Sequence, residues 1–192
     1  MLKGSMMGKS VLIIKGSPRT NGNSATLADQ VYAGAKQSGA EVEAINIAEM
    51  DIHPCDACDV CAENHGGCIV EDDMQSLYPK LIQADVIVLA FPIYWFTINA
   101  QMKLFIDRWY ALDSEDGYLL RDKQLGLVFV YGDTDLYTSG GINAIHTFDA
   151  ISRYIGIEMA GMVYGTADKE GEAEKQPELM AKAFSLGEKI AA

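Results

Sequence analysis

All four cysteines fall in one short stretch, Cys55, Cys58, Cys61 and Cys68, spaced C-x2-C-x2-C-x6-C. Three thiols at intervals of three present their sulfurs to one centre as a turn wraps around it. Gly66 and Gly67 then let the chain return with the fourth. Thiolates in this pattern can hold an iron–sulfur cluster or a tetrahedral zinc ion. Without metal they are thiols that can pair as a disulfide or act as redox sensors. Spacing alone leaves these chemistries open. His65 lies inside the motif, but four sulfurs already complete a ligand set, so it is expected at the surface; His53 has no partner legible in the sequence. Asp56, Asp59, Glu63, Glu71, Asp72 and Asp73 surround the sulfurs with negative charge, which lowers the reduction potential of any cluster held there.

A second chemistry is written in Lys15-Gly-Ser-Pro-Arg-Thr-Asn-Gly-Asn-Ser24. Hydroxyls at Ser17, Thr20 and Ser24, amides at Asn21 and Asn23, the Arg19 guanidinium and two glycines precede an amphipathic stretch. A helix starting there adds free N–H groups and a positive dipole end. Together these form a phosphate cradle. It is not a G-x-x-x-x-G-K-S/T loop: Gly16 and Gly22 are one residue too far apart, and Asn23 stands in place of lysine. The dinucleotide pattern G-x-G-x-x-G is absent, and no acidic metal pocket follows. The plainer alternative is a polar turn whose helix is capped by Asn23 or Ser24.

The third is Pro92-Ile-Tyr-Trp-Phe96, in which Tyr94, Trp95 and Phe96 are adjacent aromatics. Such side chains give rigid stacking area for a flat heteroaromatic ring. A hydrophobic cluster or an oligomer interface would use them equally well. Beside a phosphate loop, a flat cofactor with a phosphate tail is the better reading.

These stretches need a scaffold, and apolar periodicity supplies one. Val11–Ile14, Glu41–Ile45, Val86–Phe91, Leu125–Tyr131 and Met159–Tyr164 read as strands. Ser24–Gln37, Met74–Ala84, Ala100–Trp109, Ile142–Tyr154 and Glu178–Ile190 read as helices. Strands apolar on both sides imply a parallel sheet covered by helices. Five such units fit a doubly wound five-stranded α/β fold of strand order 2-1-3-4-5, whose ligand lies beyond the carboxyl ends of the first and third strands. The loops after the first and third strands stand at that place. Residues 47–73 form a long aperiodic, Cys-containing insertion loop, and Asp168–Pro177 reads as a solvated charged loop. One domain is expected over residues 1–192, with residues 1–7 as a leading segment outside the fold.

A net charge of −12 and 27 acidic against 15 basic residues exclude nucleic acid and anionic membranes as partners. The longest apolar run, Val86–Phe96, falls far short of the roughly 20 residues that span a bilayer. No targeting segment is apparent and the cysteines do not form a secreted disulfide framework, so a cytoplasmic, reducing setting is expected.

Gly16-Ser-Pro-Arg-Thr-Asn-Gly-Asn-Ser24, with Pro92–Phe96 and Gln101-Met-Lys-Leu-Phe-Ile-Asp-Arg108, resembles the NAD(P)H-dependent FMN reductases of the flavodoxin-like superfamily. The Cys motif is similar to that of the iron–sulfur flavoproteins within it. The resemblance implies a flavodoxin-like fold, with FMN phosphate held by Ser17, Arg19, Asn23 and Ser24 and the isoalloxazine ring lined by Pro92, Ile93, Tyr94, Trp95 and Phe96. Tyr131-Gly-Asp-Thr134 is the positional counterpart of a third ring-contacting loop, which puts Gly132 and Asp133 beside the flavin. Electrons would pass from NAD(P)H through FMN to a quinone, another small molecule or a protein, with a 4Fe-4S cluster on Cys55, Cys58, Cys61 and Cys68. The resemblance also implies a homodimer or homotetramer. Hydride transfer needs no side-chain general base, so no catalytic triad is assigned. A flavodoxin-like carrier exchanging single electrons with ferredoxin-type partners, and a redox-sensing module built on the Cys loop, are the competing readings. An NAD(P)H dianion approaching an acidic protein needs local cations, for which Lys103, Arg108, Arg121 and Lys123 are the candidates.

Overall fold

The structure is a computed structural model and describes residues 8–64 and 67–192. The leading segment 1–7 and the expectations for His65 and Gly66 lie outside the described residues. Strands β1 (Ser10–Lys15), β2 (Glu41–Asn46), β3 (Val86–Tyr94), β5 (Gln124–Tyr131) and β6 (Glu158–Thr166) form a parallel sheet. Its order is β2-β1-β3-β5-β6, the expected 2-1-3-4-5 once the two-residue β4 (Thr97–Ile98) is set aside, because β4 only folds back antiparallel on the end of β3.

Alternate side chains of the central strands feed two cores, as the period of a strand requires. Leu12, Ile14, Ile87, Leu89, Phe91, Leu127 and Phe129 pack under α3 (Met74–Gln83), α4 (Ala100–Asp107) and α5 (Gly141–Ile155). Val11, Ile13, Val86, Val88, Val128 and Val130 pack under α1 (Asn23–Gln37) and α6 (Pro177–Ala191). These two helices approach so closely that a Cβ on Gly34 would stand 2.1 Å from the Phe184 carbonyl oxygen, and one on Gly187 2.2 Å from that of Val31. Helix α1 and the loop before it are thereby held firmly against the sheet.

Two expectations need correcting. Residues 47–73 are not wholly irregular: a 3-10 turn spans Ile47–Glu49, and a short helix, α2, spans Val60–Asn64. The charged stretch after β6 is not merely a solvated loop. Ala173 within it is fully buried, and both ends of the Asn23 amide are bonded to it, Nδ2 donating to the Lys169 carbonyl at 2.8 Å and Oδ1 accepting from the Ala173 N–H at 3.1 Å.

Candidate functional site

Because β1 and β3 are neighbours whose helices leave to opposite faces, a crevice opens at their carboxyl ends. There a cleft of about 410 Å³ is bounded by Ser17, Arg19, Gly22, Asn23 and Ser24 on one side and by Pro92, Ile93, Tyr94 and Trp95 on the other. Val130 and Tyr131 of β5 and Gly132 just after it, with Ala167 and Asp168 just after β6, close it. The phosphate-type loop and the aromatic loop therefore face each other across one cavity.

The first side is built around the start of α1. Gly22, not Asn23 or Ser24, is the N-cap residue, and no side chain bonds the helix start. The Ser17 hydroxyl instead accepts the Arg19 N–H at 3.1 Å and folds the loop on itself. A Cβ on Gly22 would meet Ser17 Oγ at 2.9 Å and the Arg19 carbonyl oxygen at 3.0 Å, so a larger residue would displace one of them. Behind the loop, buried Asn99 donates to the Gly16 carbonyl at 2.6 Å and ties it to the start of α4. Ser17, Asn23 and Ser24 are all buried. Asn23 is committed to the 169–173 loop, so it shapes the cradle more than it offers a free donor. Arg19 reaches the Asp168 carbonyl at 3.2 Å and remains the cation of this cleft.

The second side is a hairpin. Ile93 pairs with Ile98 and Tyr94 with Thr97, leaving Trp95 and Phe96 as the two turn residues, both at positive φ of 47° and 69°. This is the left-handed pair of a two-residue hairpin, a place usually given to Asn-Gly. The turn is held by Asn143 of α5, whose amide donates to the Phe96 carbonyl at 2.9 Å. Trp95 is 92% exposed at the mouth of the cleft. Phe96 and Asp133 do not line the main cleft; they border an adjoining recess that shares Ile93, Trp95, Tyr131, Gly132 and Asp168 with it. Burial pushes the Tyr131 phenol above its ordinary range at the cleft wall.

All four cysteines line a separate recess, with Cys55 and Cys58 exposed and Cys61 and Cys68 half-buried. Between them Ala57 and Asp59 adopt positive φ of 56° and 59°. The Cys58 N–H between them donates to Asp56 Oδ1 at 3.3 Å. Among the described residues no three His, Cys, Asp or Glu side chains are drawn together as a finished ligand set. Burial, then the neighbouring Cys68, pushes the Cys61 thiol up. His53 proves to have a partner, its Nε2 lying 3.2 Å from Asp51 Oδ1.

The four cations considered for NAD(P)H do not gather at the cleft. Arg108 is buried and paired with Asp72. Lys103 pairs with Asp107 one turn along α4. Lys123 donates to the Ile82 and Ala84 carbonyls just before β5, and Arg121 packs against Gly117 and Gly156; both are at the opposite edge of the sheet. Spacing could not show this, because it records charge but not which end of a strand carries it. Asp168 and Ala167 were missed as cleft residues for the opposite reason: their neighbours are so polar that the stretch resembles solvent-facing loop.

A doubly wound sheet with a polar, glycine-bearing loop and an aromatic hairpin facing each other across its switch point has the layout of a flavodoxin-type protein. The chain belongs to the flavodoxin-like family, whose model, described as a flavodoxin-like fold, matches residues 9–186. It is 33% identical over 145 residues to an iron–sulfur flavoprotein of Methanocaldococcus jannaschii, covering 76% of this chain and 74% of that one. It is 26% identical over 181 residues to a Bacillus subtilis protein assigned by name to the NAD(P)H-dependent FMN-containing oxidoreductases, covering 92% and 95%. A solved NAD(P)H:quinone oxidoreductase from Methanothermobacter marburgensis shares the fold, with a TM-score of 0.78 at 17% identity over 96% of this chain and 98% of that one.

Proposed function

We propose that this chain is an FMN-dependent oxidoreductase that takes electrons from NAD(P)H and delivers them to a quinone, another small molecule or a protein acceptor. The observation that carries this is the single cleft in which the cradle at the start of α1 faces the aromatic hairpin. The names of the Bacillus subtilis and Methanocaldococcus jannaschii relatives support it. In this reading Ser17, Arg19 and Ser24, with the first N–H groups of α1, hold the phosphate, and Asn23 fixes the rim. Pro92, Ile93, Tyr94 and Trp95 bound the ring on one side. Gly132 and Tyr131 bound it on the other, while Phe96 and Asp133 border the space beside it where a donor or acceptor would enter. Bound FMN supplies hydride acceptance and electron release, the chemistry these side chains lack. The protein's part is to orient the ring and exclude water from its buried edge.

We also propose that Cys55, Cys58, Cys61 and Cys68 hold a 4Fe-4S cluster, supported by the four thiols lining one recess, a donor set suited to iron–sulfur chemistry. A single domain over residues 1–192 is supported by the span of the family match. A homodimer or homotetramer is supported by Trp95, Phe96 and Tyr137, exposed large rings. Four cysteines, none joined in a disulfide, support a reducing, cytoplasmic setting. Among the described residues no helix is long and apolar enough to cross a membrane.

Stopped-flow mixing of the FMN-loaded chain with NADH and with NADPH tests the activity. Rapid bleaching of the flavin absorbance by either is expected. Flavin that neither nucleotide reduces, but that a one-electron donor does, would replace the reductase with the carrier reading.

A further inference from the structure

We infer that Arg108 is the positioning residue of the cysteine loop: it holds Cys68 in place and, through an N–H···S bond, raises the reduction potential of the cluster. The inference rests on the cluster reading above and adds a residue outside the motif that governs it.

Arg108 lies at the end of α4, 1% exposed, and its one guanidinium meets the loop at three separated points. Nη1 lies 2.5 Å from Asp72 Oδ2 and 2.9 Å from the His53 carbonyl oxygen. Nη2 lies 3.3 Å from Asp72 Oδ1 and 3.2 Å from Cys68 Sγ. The backbone of Arg108 is fixed in turn, its carbonyl accepting the Tyr78 hydroxyl at 3.2 Å. Both ends of the Cys segment and its fourth sulfur are therefore fastened to one side chain. Cys55, Cys58 and Cys61 are kept in register by their own spacing. Cys68 follows a six-residue gap, so its place depends most on an anchor outside the motif.

Burial of the whole ion pair, both side chains 0% exposed, is a poor device for stability alone, since apolar residues of similar volume serve a core as well or better. Only arginine's planar fork can grip a carboxylate through two nitrogens and still direct N–H groups at a carbonyl and a sulfur. Asp72 balances the guanidinium charge, so the directional N–H···S bond is what remains to act on the sulfur. Hydrogen bonds to ligand sulfurs stabilise the reduced, more negative cluster and raise its potential. The acidic residues around the loop pull the other way, and Asp72, counted among them on sequence, is neutralised by this pair.

The test uses the whole chain, reconstituted anaerobically with iron and sulfide, as wild type, R108K and the charge-balanced D72L/R108M. Iron per chain and the cluster midpoint from an EPR-monitored redox titration are the readouts, and FMN content reports that the fold is intact. Expected are less iron or a more negative midpoint in D72L/R108M, with R108K, which keeps the cation but loses the fork, between it and wild type. Wild-type iron and midpoint in D72L/R108M would overturn the inference. If that variant also loses FMN, R108K decides alone, and wild-type values there overturn it. A wild-type chain that takes up no iron removes the cluster reading and this inference together, a failure seen before any variant is made.

Discussion

At Gly22 a methyl group would stand 2.9 Å from Ser17 Oγ and 3.0 Å from the Arg19 carbonyl oxygen, and would push the loop that lines the cleft out of place. Gly22→Ala is expected to weaken FMN binding at least ~10-fold, about 1.4 kcal/mol, with a thermal midpoint close to wild type. Flavin fluorescence titration beside a melting curve checks both halves. Trp95 and Phe96 carry the opposite signature, bulky residues at positive φ, where left-handed backbone costs roughly 1–2 kcal/mol per residue. Trp95→Asn with Phe96→Gly is expected to raise stability by about 1–2 kcal/mol in urea unfolding while lowering NAD(P)H-driven turnover. Equal stability and full turnover would mean that neither strain nor ring matters there. Side-chain chemistry made Ser17, Arg19 and Trp95 legible in sequence. The work of Asn23 was not, since its amide's partners lie about 150 positions away and no local pattern encodes them.

Elements place these residues, and the strand and helix order could be read because each β–α unit carries its own period. The β3–β4 hairpin could not: Tyr94-Trp95-Phe96-Thr97 lacks Gly, Asn and Asp, the usual turn chemistry, and tertiary bonds from α5 hold it instead. The hold of α4 on the Cys loop was hidden in the same way, with Arg108 and Asp72 visible only as two charges. Burial alone would push the Asp72 carboxyl up, but hydrogen bonds from Arg108 and the His53 N–H, with the Arg108 charge, hold it below the usual carboxylate range. A carboxyl depressed on folding adds stability above its unfolded pKa of about 3.9. That stability is lost as pH falls through the folded value. Asp72→Asn leaves a buried guanidinium unpaired and is expected to cost about 3–5 kcal/mol at pH 7. In denaturant unfolding the gap to wild type should narrow as pH drops below 4; a gap unchanged at pH 3 would contradict the pairing.

Across the whole molecule the excess of acid sets how charged substrates arrive. With a net charge of −12 and none of the four candidate cations gathered at the cleft, an anionic nicotinamide nucleotide would meet repulsion before it reached the cleft. Screening shortens the reach of that field to about 8 Å at physiological ionic strength. Between low salt and about 0.2 M, kcat/KM for NAD(P)H is therefore expected to rise, roughly twofold or more. A fall would point to cationic steering, for which Arg19 of the cleft would be the candidate. The expectations for flavin binding and turnover depend on the β1/β3 cleft being an FMN site, and equilibrium uptake of FMN tests that most directly. Titrating the apoprotein with FMN while following quenching of flavin fluorescence should reach saturation at one FMN per chain and give a yellow protein that survives gel filtration. A chain that takes up no FMN and leaves the fluorescence unquenched would contradict the account.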